Sequence, residues 1–323
     1  MKMTFLRFLK YIPILLFCYI LIFFLIYIIS GFLLINNVTP NNKLINTYQV
    51  NYYLNSGMRN IWQSNPDCIE YDKDLIFVPK KTECSFNNPE FNTKVSFDTY
   101  GRFSKHPNSN TKGIVVLGDS FAMGWGVNDN ETFSAVLEKK INRPVYNLAV
   151  SGYGTQRELI RLKKSNILEK IDTIILQYCY NDVGENINFK INSEEDANKK
   201  FDLITSSKKI GFWTILRKSI RYSSTIPIDL VRKKNAVLDF TGHKEILNNL
   251  IAQYPEILRK KIYIFYANGP NIEFSNFTKS PDDFENLTFI DIKLQKTHYF
   301  KIDNHLNSVG HRYIAEELEK IIK

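Results

Sequence analysis

A chain of 323 residues with 44% apolar side chains has room for one sizeable domain plus an accessory piece, and that apolar content excludes a disordered protein. The formal net charge of +9 is partly local, concentrated in one stretch in the second half of the chain.

The chain opens on a segment unlike the rest. From Tyr11 to Ile35 it is almost purely apolar and aromatic, interrupted by Pro13, Ser30 and Gly31 and closed by Asn36 and Asn37. It carries no charge and exceeds the roughly 20 residues that cross a bilayer as a helix, so residues 1–35 read as a short stub and a transmembrane anchor. A cleaved signal peptide is the competing reading. Against it, the run is longer than the usual apolar region and no small-x-small site follows. Lys2, Arg7 and Lys10 precede the span and its far flank is uncharged, which places the stub in the cytoplasm and the remainder in the periplasm or exterior. That orientation also removes nucleic acid from the expected partners.

Residues 36–110 are rich in Asn, Tyr and Pro and show no sustained period. They read as a juxtamembrane linker leading into a small irregular or β-rich subdomain, with short strands at Val95 to Phe97 and Tyr100 to Phe103. Of the four cysteines, Cys18 lies in the span and Cys179 in an apolar run. Cys68 and Cys84, in polar surroundings, remain as the pair for a disulfide in an oxidising compartment.

From residue 111 to 323 apolar runs alternate with amphipathic stretches, the pattern of a parallel sheet covered by helices on both faces. The expected strands are Ile114 to Leu117, Val145 to Val150, Thr173 to Cys179 and Ile262 to Tyr266. Phe133, Val136, Leu137 and Ile141 recur at helical spacing, as do Ile314, Leu318 and Ile321. A three-layer α/β/α domain follows, with an insertion over about residues 184–241. Lys208, Lys209, Arg217, Lys218, Arg221, Arg232, Lys233 and Lys234 fall in that insertion, interleaved with Phe212, Trp213, Ile215 and Leu216. The block suits anionic lipid or an acidic glycan, and equally a solvated helix or a lid with a basic outer face.

In an open parallel sheet, ligands bind beyond the carboxyl ends of the strands. Ser120 follows the first expected strand, Gly152 the second, Asn181 the third, and His305 stands in the loop before the last helix. Four separate segments thus converge on one edge. Gly118-Asp119-Ser120, Asn147 through Gly154, Asn181-Asp182 and Asp303-Asn304-His305 resemble the successive blocks of the SGNH (GDSL-type) hydrolase family, in the family's order and over about the last two thirds of the chain. The resemblance implies a flavodoxin-like fold and ester hydrolysis or acyl transfer by serine. It makes Ser120 the nucleophile, Ser120, Gly152 and Asn181 the oxyanion hole, and His305 with Asp303 the base and its orienter. Two departures stand out. Only Asn304 separates Asp303 from His305, where the family commonly has two residues, an arrangement similar to that of some members that acetylate glycans. Tyr180 replaces the glycine that commonly precedes Asn-Asp.

The residue types support this chemistry on their own terms. A serine hydroxyl needs a base to take its proton, and imidazole titrates in the right range. An aspartate behind it selects the tautomer and stabilises the imidazolium, and N–H donors receive the charge that develops on the attacked carbonyl. Asp119 reads as loop support, His311 as a structural neighbour of the site, and Asn307 as the cap of the last helix. The histidines and cysteines lack metal-site spacing and no phosphate-binding glycine pattern follows a strand, so no metal or cofactor is expected. Three functions fit. One is an envelope esterase acting on an acyl ester of a glycan or lipid. Another is an O-acyltransferase of a surface polysaccharide, with a partner protein delivering acyl groups. The last is a non-catalytic glycan-binding or assembly protein.

Overall fold

The computed structural model describes residues 11–57, 59–106, 111–206, 212–232 and 236–322. Lys2, Arg7, Lys10, Lys208, Lys209, Lys233 and Lys234 lie outside the described residues. Helix α1 (Ile12–Ile35) occupies the apolar run, with Pro13 in its first turn where the missing N–H costs nothing. Its first turns are exposed, and toward its second half Tyr27, Ser30, Gly31 and Leu34 are buried on one stripe. Helix α2 (Lys43–Asn55) covers that stripe. It begins where the Asn42 side chain accepts the Ile45 N–H at 3.1 Å.

Five strands follow: β1 (Ile69–Asp72) and β2 (Ile76–Pro79), which form a separate antiparallel pair, then β3 (Glu83–Asn88), β4 (Phe91–Asp98) and β5 (Gly101–Arg102). The last three do not make a sheet of their own. They continue the main sheet, which β5 joins by pairing Arg102 with Asn147. Cys68 and Cys84 are joined by a disulfide with Cα atoms 6.0 Å apart, and both are buried. The polar surroundings expected for them are only sequence neighbours: along β3 exposed Glu83, Ser85 and Asn87 alternate with buried Cys84, Phe86 and Asn88.

The centre of the molecule is β6 (Gly113–Leu117), buried at every position, as a strand covered on both faces must be. After it come α3 (Ser120–Met123), α4 (Phe133–Ile141), β7 (Val145–Asn147), α5 (Thr155–Lys164), β8 (Ile171–Tyr178), α6 (Asp182–Asn188), α7 (Glu194–Thr205) and α8 (Phe212–Arg232). The chain ends with β9 (Ala236–Asp239), α9 (Thr241–Ala252), β10 (Lys261–Tyr266), β11 (Ile272–Ser275), β12 (Leu287–Ile290) and α10 (Ser308–Ile322). The eight-stranded sheet has the order β12-β10-β8-β6-β7-β5-β4-β3, parallel from β12 to β7 and antiparallel beyond. This is the flavodoxin-like three-layer architecture with an antiparallel extension on one side.

Alternation along β6 builds the two cores. Ile114 and Val116 pack with Phe133 and Leu137 of α4 and Ile314 and Leu318 of α10. Val115 and Leu117 face the other way, onto Leu159 and Leu162 of α5 and Leu247 and Ile251 of α9. The strand expected to reach Val150 stops at Asn147, whose side-chain oxygen accepts the Ala149 N–H at 3.1 Å and turns the backbone away. Short edge strand β12 has too few residues for a periodic signal. Among the described residues the insertion holds helices α6 to α8 and the short strand β9, and α8 does not cover the sheet: it packs on α1 and α2, where Tyr48 donates to the Ser223 carbonyl at 2.8 Å.

Candidate active site

The loop after β6 turns through Gly118, whose φ of +148° already favours glycine. A Cβ there would stand 2.6 Å from the Ala122 Cβ and 2.7 Å from the Gln177 Oε1. The side chain of Asp119 caps α3 by accepting the Phe121 N–H at 2.9 Å, and buried Gln177 accepts the N–H groups of Asp119 and Ala122 at 3.3 and 3.2 Å. The turn carrying Ser120 is thus fixed at the carboxyl end of the central strand by Gly118, by the Asp119 cap and by Gln177 of β8.

The structure brings the distant partners to it. Ser120 Oγ lies 2.8 Å from His305 Nε2, and His305 Nδ1 is hydrogen-bonded to Asp303 Oδ1. With the Nδ1 proton held by Asp303, Nε2 presents its lone pair to the serine. The Phe121 ring packs against the imidazole, 4.8 Å between centroids.

Asp303 is held from its other side as well. Its Oδ2 accepts from the Tyr53 hydroxyl at 2.7 Å and from Trp125 Nε1 at 3.4 Å, and Arg59 Nε stands 3.4 Å away. Burial alone would raise its pKa, but His305, Arg59 and the Tyr53 hydroxyl hold the carboxyl well below the usual carboxylate range. The loop itself is strapped by Glu90, whose carboxylate accepts the N–H groups of Lys301, Ile302 and Asp303 at 2.7, 2.7 and 2.8 Å. Asn304 takes a φ of +65°, the conformation in which a single residue suffices to turn His305 back over Asp303.

Ser120, Gly152, Asn181 and His305 line one cavity of about 180 Å³ together with Arg59, Gln63, Trp125 and Ser151. Gly152 has a φ of +83°, and a Cβ there would meet nothing closer than Gln63 at 3.6 Å, so backbone conformation rather than space calls for glycine. Asn181 stands just before α6. Tyr180 is exposed at 41%, and its N–H is held by Asn268 Oδ1 at 2.8 Å. The tyrosine in place of glycine leaves Asn181 at the cavity.

Behind the site lies a buried acidic group. Burial pushes Asp119 up to about 6, and burial followed by the charges of Asp182 and Asp119 raises Glu158 well above the ordinary carboxyl range. Asp182 is raised by burial and then by Asp119. Both Glu158 oxygens lack a hydrogen-bond partner. His311 is fully buried, its pKa lowered to about 3 by burial and the Arg102 charge, and its Nδ1 accepts the Phe133 N–H at 3.2 Å, a structural part. Asn307 caps α10 by accepting the Gly310 N–H at 3.0 Å. Among the described residues no group of three or more His, Cys, Asp or Glu side chains is placed to hold a metal ion.

Sequence reasoning passes over Tyr53, Arg59, Gln63 and Glu90, all in residues 36–110, where no period or motif marks them. Trp125 stands in the glycine-bearing segment after Ser120 and carries no signal of its contact with Asp303.

Comparison with known proteins bears on the same blocks. A search of curated proteins returns no match. Among solved structures, the chain is similar to a protein assigned to the G-D-S-L lipolytic family from Desulfitobacterium hafniense DCB-2, at 15% identity and a TM-score of 0.30, covering 65% of this chain and 99% of that one. It is also similar to a carbohydrate esterase family 2 enzyme with a carbohydrate-binding domain from Corynascus thermopiles (Myceliophthora fergusii), at 13% identity and a TM-score of 0.35, over 69% of this chain and 68% of that one. A family two carbohydrate esterase from Clostridium thermocellum, in complex with cellohexaose, matches at 11% identity and a TM-score of 0.35, over 67% and 65%. The model of the GDSL-like lipase/acylhydrolase family matches residues 114–318, from the strand before Ser120 to the helix after His305, and the chain belongs to that family.

Proposed function

We propose that the chain is a serine-dependent ester hydrolase that removes a short acyl group from a glycan at the cell envelope. The observation that carries this reading is the continuous array from Ser120 Oγ through His305 to Asp303, open to a cavity that Gly152 and Asn181 also line. His305 Nε2 takes the serine proton as Oγ attacks the ester carbonyl. The imidazolium that forms is stabilised by Asp303, kept ionised by its neighbours. The tetrahedral oxyanion falls to the Ser120 and Gly152 N–H groups and the Asn181 amide. His305 then returns its proton to the departing sugar oxygen, and water, activated by the same imidazole, releases the acid and frees Ser120.

The cavity supports the substrate class. About 180 Å³ is below the range of roughly 300–1,000 Å³ common for drug-sized ligands, and Arg59, Gln63, Ser151 and Asn181 make its wall polar. An acetyl-sized group on a polyhydroxylated carrier suits it better than a fatty acyl chain. Helix α1 serves as an uncleaved anchor holding the catalytic side outside the cytoplasm.

A second reading, acyl transfer to a surface polysaccharide, is favoured by the position of the site against the anchor. Leu34 of α1 packs with Tyr53 and Ile302, the residues that touch and precede Asp303, so an acyl donor held in the membrane is within the site's neighbourhood. Full-length protein incubated with an activated acetyl ester, with and without a glycan acceptor, separates the two. Acetate release in both arms identifies the esterase, and acetylated glycan identifies the transferase. A serine-directed phosphonate that leaves Ser120 unlabelled overturns both.

A further inference from the structure

Helix α8 has two faces. On one, Ser219, Ser223 and Ile226 are buried at 3%, 0% and 1% exposure. Ser219 hydrogen-bonds Tyr27 of α1, the Ser223 carbonyl accepts from Tyr48 of α2, and Ile226 packs between those two tyrosines. On the other, an open cavity of about 400 Å³ is bordered, among the described residues, by Trp213, Thr214, Arg217, Lys218, Arg221 and Tyr222. Arg217 and Arg221, two positions to either side of Ser219, point about 160° away from it at 3.6 residues per turn. Trp213 is 77% exposed. The packed face therefore fixes where the cationic face stands: it is carried on the side of α8 that α1 and α2 leave open.

The level of this face along α1 limits what it meets. About 20 residues from Ile12 take a helix across a hydrocarbon core, ending near Gly31, so the stripe from Tyr27 to Leu34 that α2 and α8 cover straddles the boundary on the catalytic side. Three cationic side chains flanked by an exposed tryptophan and a tyrosine match that boundary, where long cationic stems reach phosphates and indole rings sit among headgroups. The catalytic reaction makes no use of them.

We infer that the Arg217, Lys218 and Arg221 face of α8 is a binding site for the phosphate headgroup of an anionic phospholipid in the leaflet nearest the catalytic domain. The inference rests on α1 being a membrane anchor and is independent of the esterase reading. Its effect is to tie the helical bundle under the active site to the lipid surface at a second point.

The test uses full-length protein in nanodiscs of phosphatidylcholine alone or mixed with phosphatidylglycerol. Hydrogen exchange over residues 212–222 is expected to slow severalfold in the mixed discs, and phosphatidylglycerol to co-purify in detergent with the wild type. The combined Arg217→Gln, Lys218→Gln, Arg221→Gln variant is expected to lose the preference about fivefold per charge, roughly a hundredfold in all, while hydrolysing a small activated ester at the wild-type rate. Exchange in the wild type that ignores lipid composition overturns the site without any variant. So does protection by an added acidic oligosaccharide in neutral discs when phosphatidylglycerol gives none, which assigns the face to a glycan. Release of the wild type from membranes by alkaline carbonate overturns the anchor and the site together, leaving the activity of Ser120 as a separate question.

Discussion

Ser120 and Asp303 are held by different kinds of structure. Around Ser120 the turn is held by its own residues and the neighbouring parallel strand: Gly118 in its special conformation, the Asp119 side chain capping a short helix, and the Gln177 side chain from β8 bonding two N–H groups of the turn. Around Asp303 most partners are side chains from a region outside the parallel sheet, Tyr53 in α2, Arg59 beyond it and Glu90 between the antiparallel strands, joined by Trp125 from the loop after Ser120. A strand end can present a hydroxyl with its own turn and one side chain from the adjacent strand. A carboxylate in a surface loop, one residue from its histidine, needs partners that fix its oxygens and keep it charged. Residues 36–110, which read in sequence as a linker and a small irregular or β-rich subdomain, thereby supply side chains that hold the Asp303 loop.

This contrast can be broken in graded ways. Ser120→Ala removes the attacking atom and is expected to lower kcat by roughly 10⁶-fold, read with an activated acetyl ester; residual turnover near wild type would move the nucleophile elsewhere. Asp303→Asn, which keeps the shape but loses the charge and tautomer control, should cost about 10⁴-fold. Asn181→Ala tests the oxyanion side, with an expected loss of roughly 10²–10³ in kcat and little change in KM; a change confined to KM would make Asn181 a binding residue instead.

Tyr53→Phe sharpens the comparison directly, because Tyr53 contacts Asp303 and does not line the cavity. Loss of a hydrogen bond to a charged group is worth about 1.5–3 kcal/mol. A fall in kcat of roughly one to two orders of magnitude with KM unchanged is expected, while the same effect on both parameters would reduce Tyr53 to a packing role.

The smallest effect concerns pH and stability. Asp119, Glu158 and Asp182 all have folded-state pKa values above the ordinary carboxyl range, Asp119 at about 6, so between the unfolded and folded values the native state binds more protons than the unfolded chain. Their contribution to stability is present in mild acid and is lost as pH rises through the folded values. Glu158→Gln removes one of these ionisations and is expected to raise stability at pH 8 by roughly 1–3 kcal/mol and to flatten the pH dependence of Tm, measured by thermal unfolding between pH 5 and 8, on the order of the range where such groups titrate. A steeper dependence in the variant would reverse the sign assigned to this cluster.

What the amino-acid order determined by itself is considerable, and the reason is locality. The parallel core is written in runs such as Ile114 to Leu117 because strands buried on both faces must be apolar throughout, and Ser120, Gly152 and Asn181 are marked by the strand ends they follow. Asp303 and His305 are legible as a pair because only Asn304 lies between them. The run from Tyr11 to Ile35 announces, by length and lack of charge, a helix long and apolar enough to cross a membrane.

Tertiary structure alone decided the rest. That β3 to β5 extend the catalytic sheet depends on one pairing between Arg102 and Asn147, with no periodic trace. That Tyr53, Arg59 and Glu90 converge on a loop more than 200 residues away is a matter of where α2 and the β3–β4 turn dock. Helix α8 of the basic insertion turns from the sheet to α1 and α2 because Ser219, Ser223 and Ile226 find Tyr27 and Tyr48 there. Backbone conformation and burial leave their mark on neighbouring residues and can be read along the chain. Side-chain partnerships between distant segments leave none until the fold closes the distance.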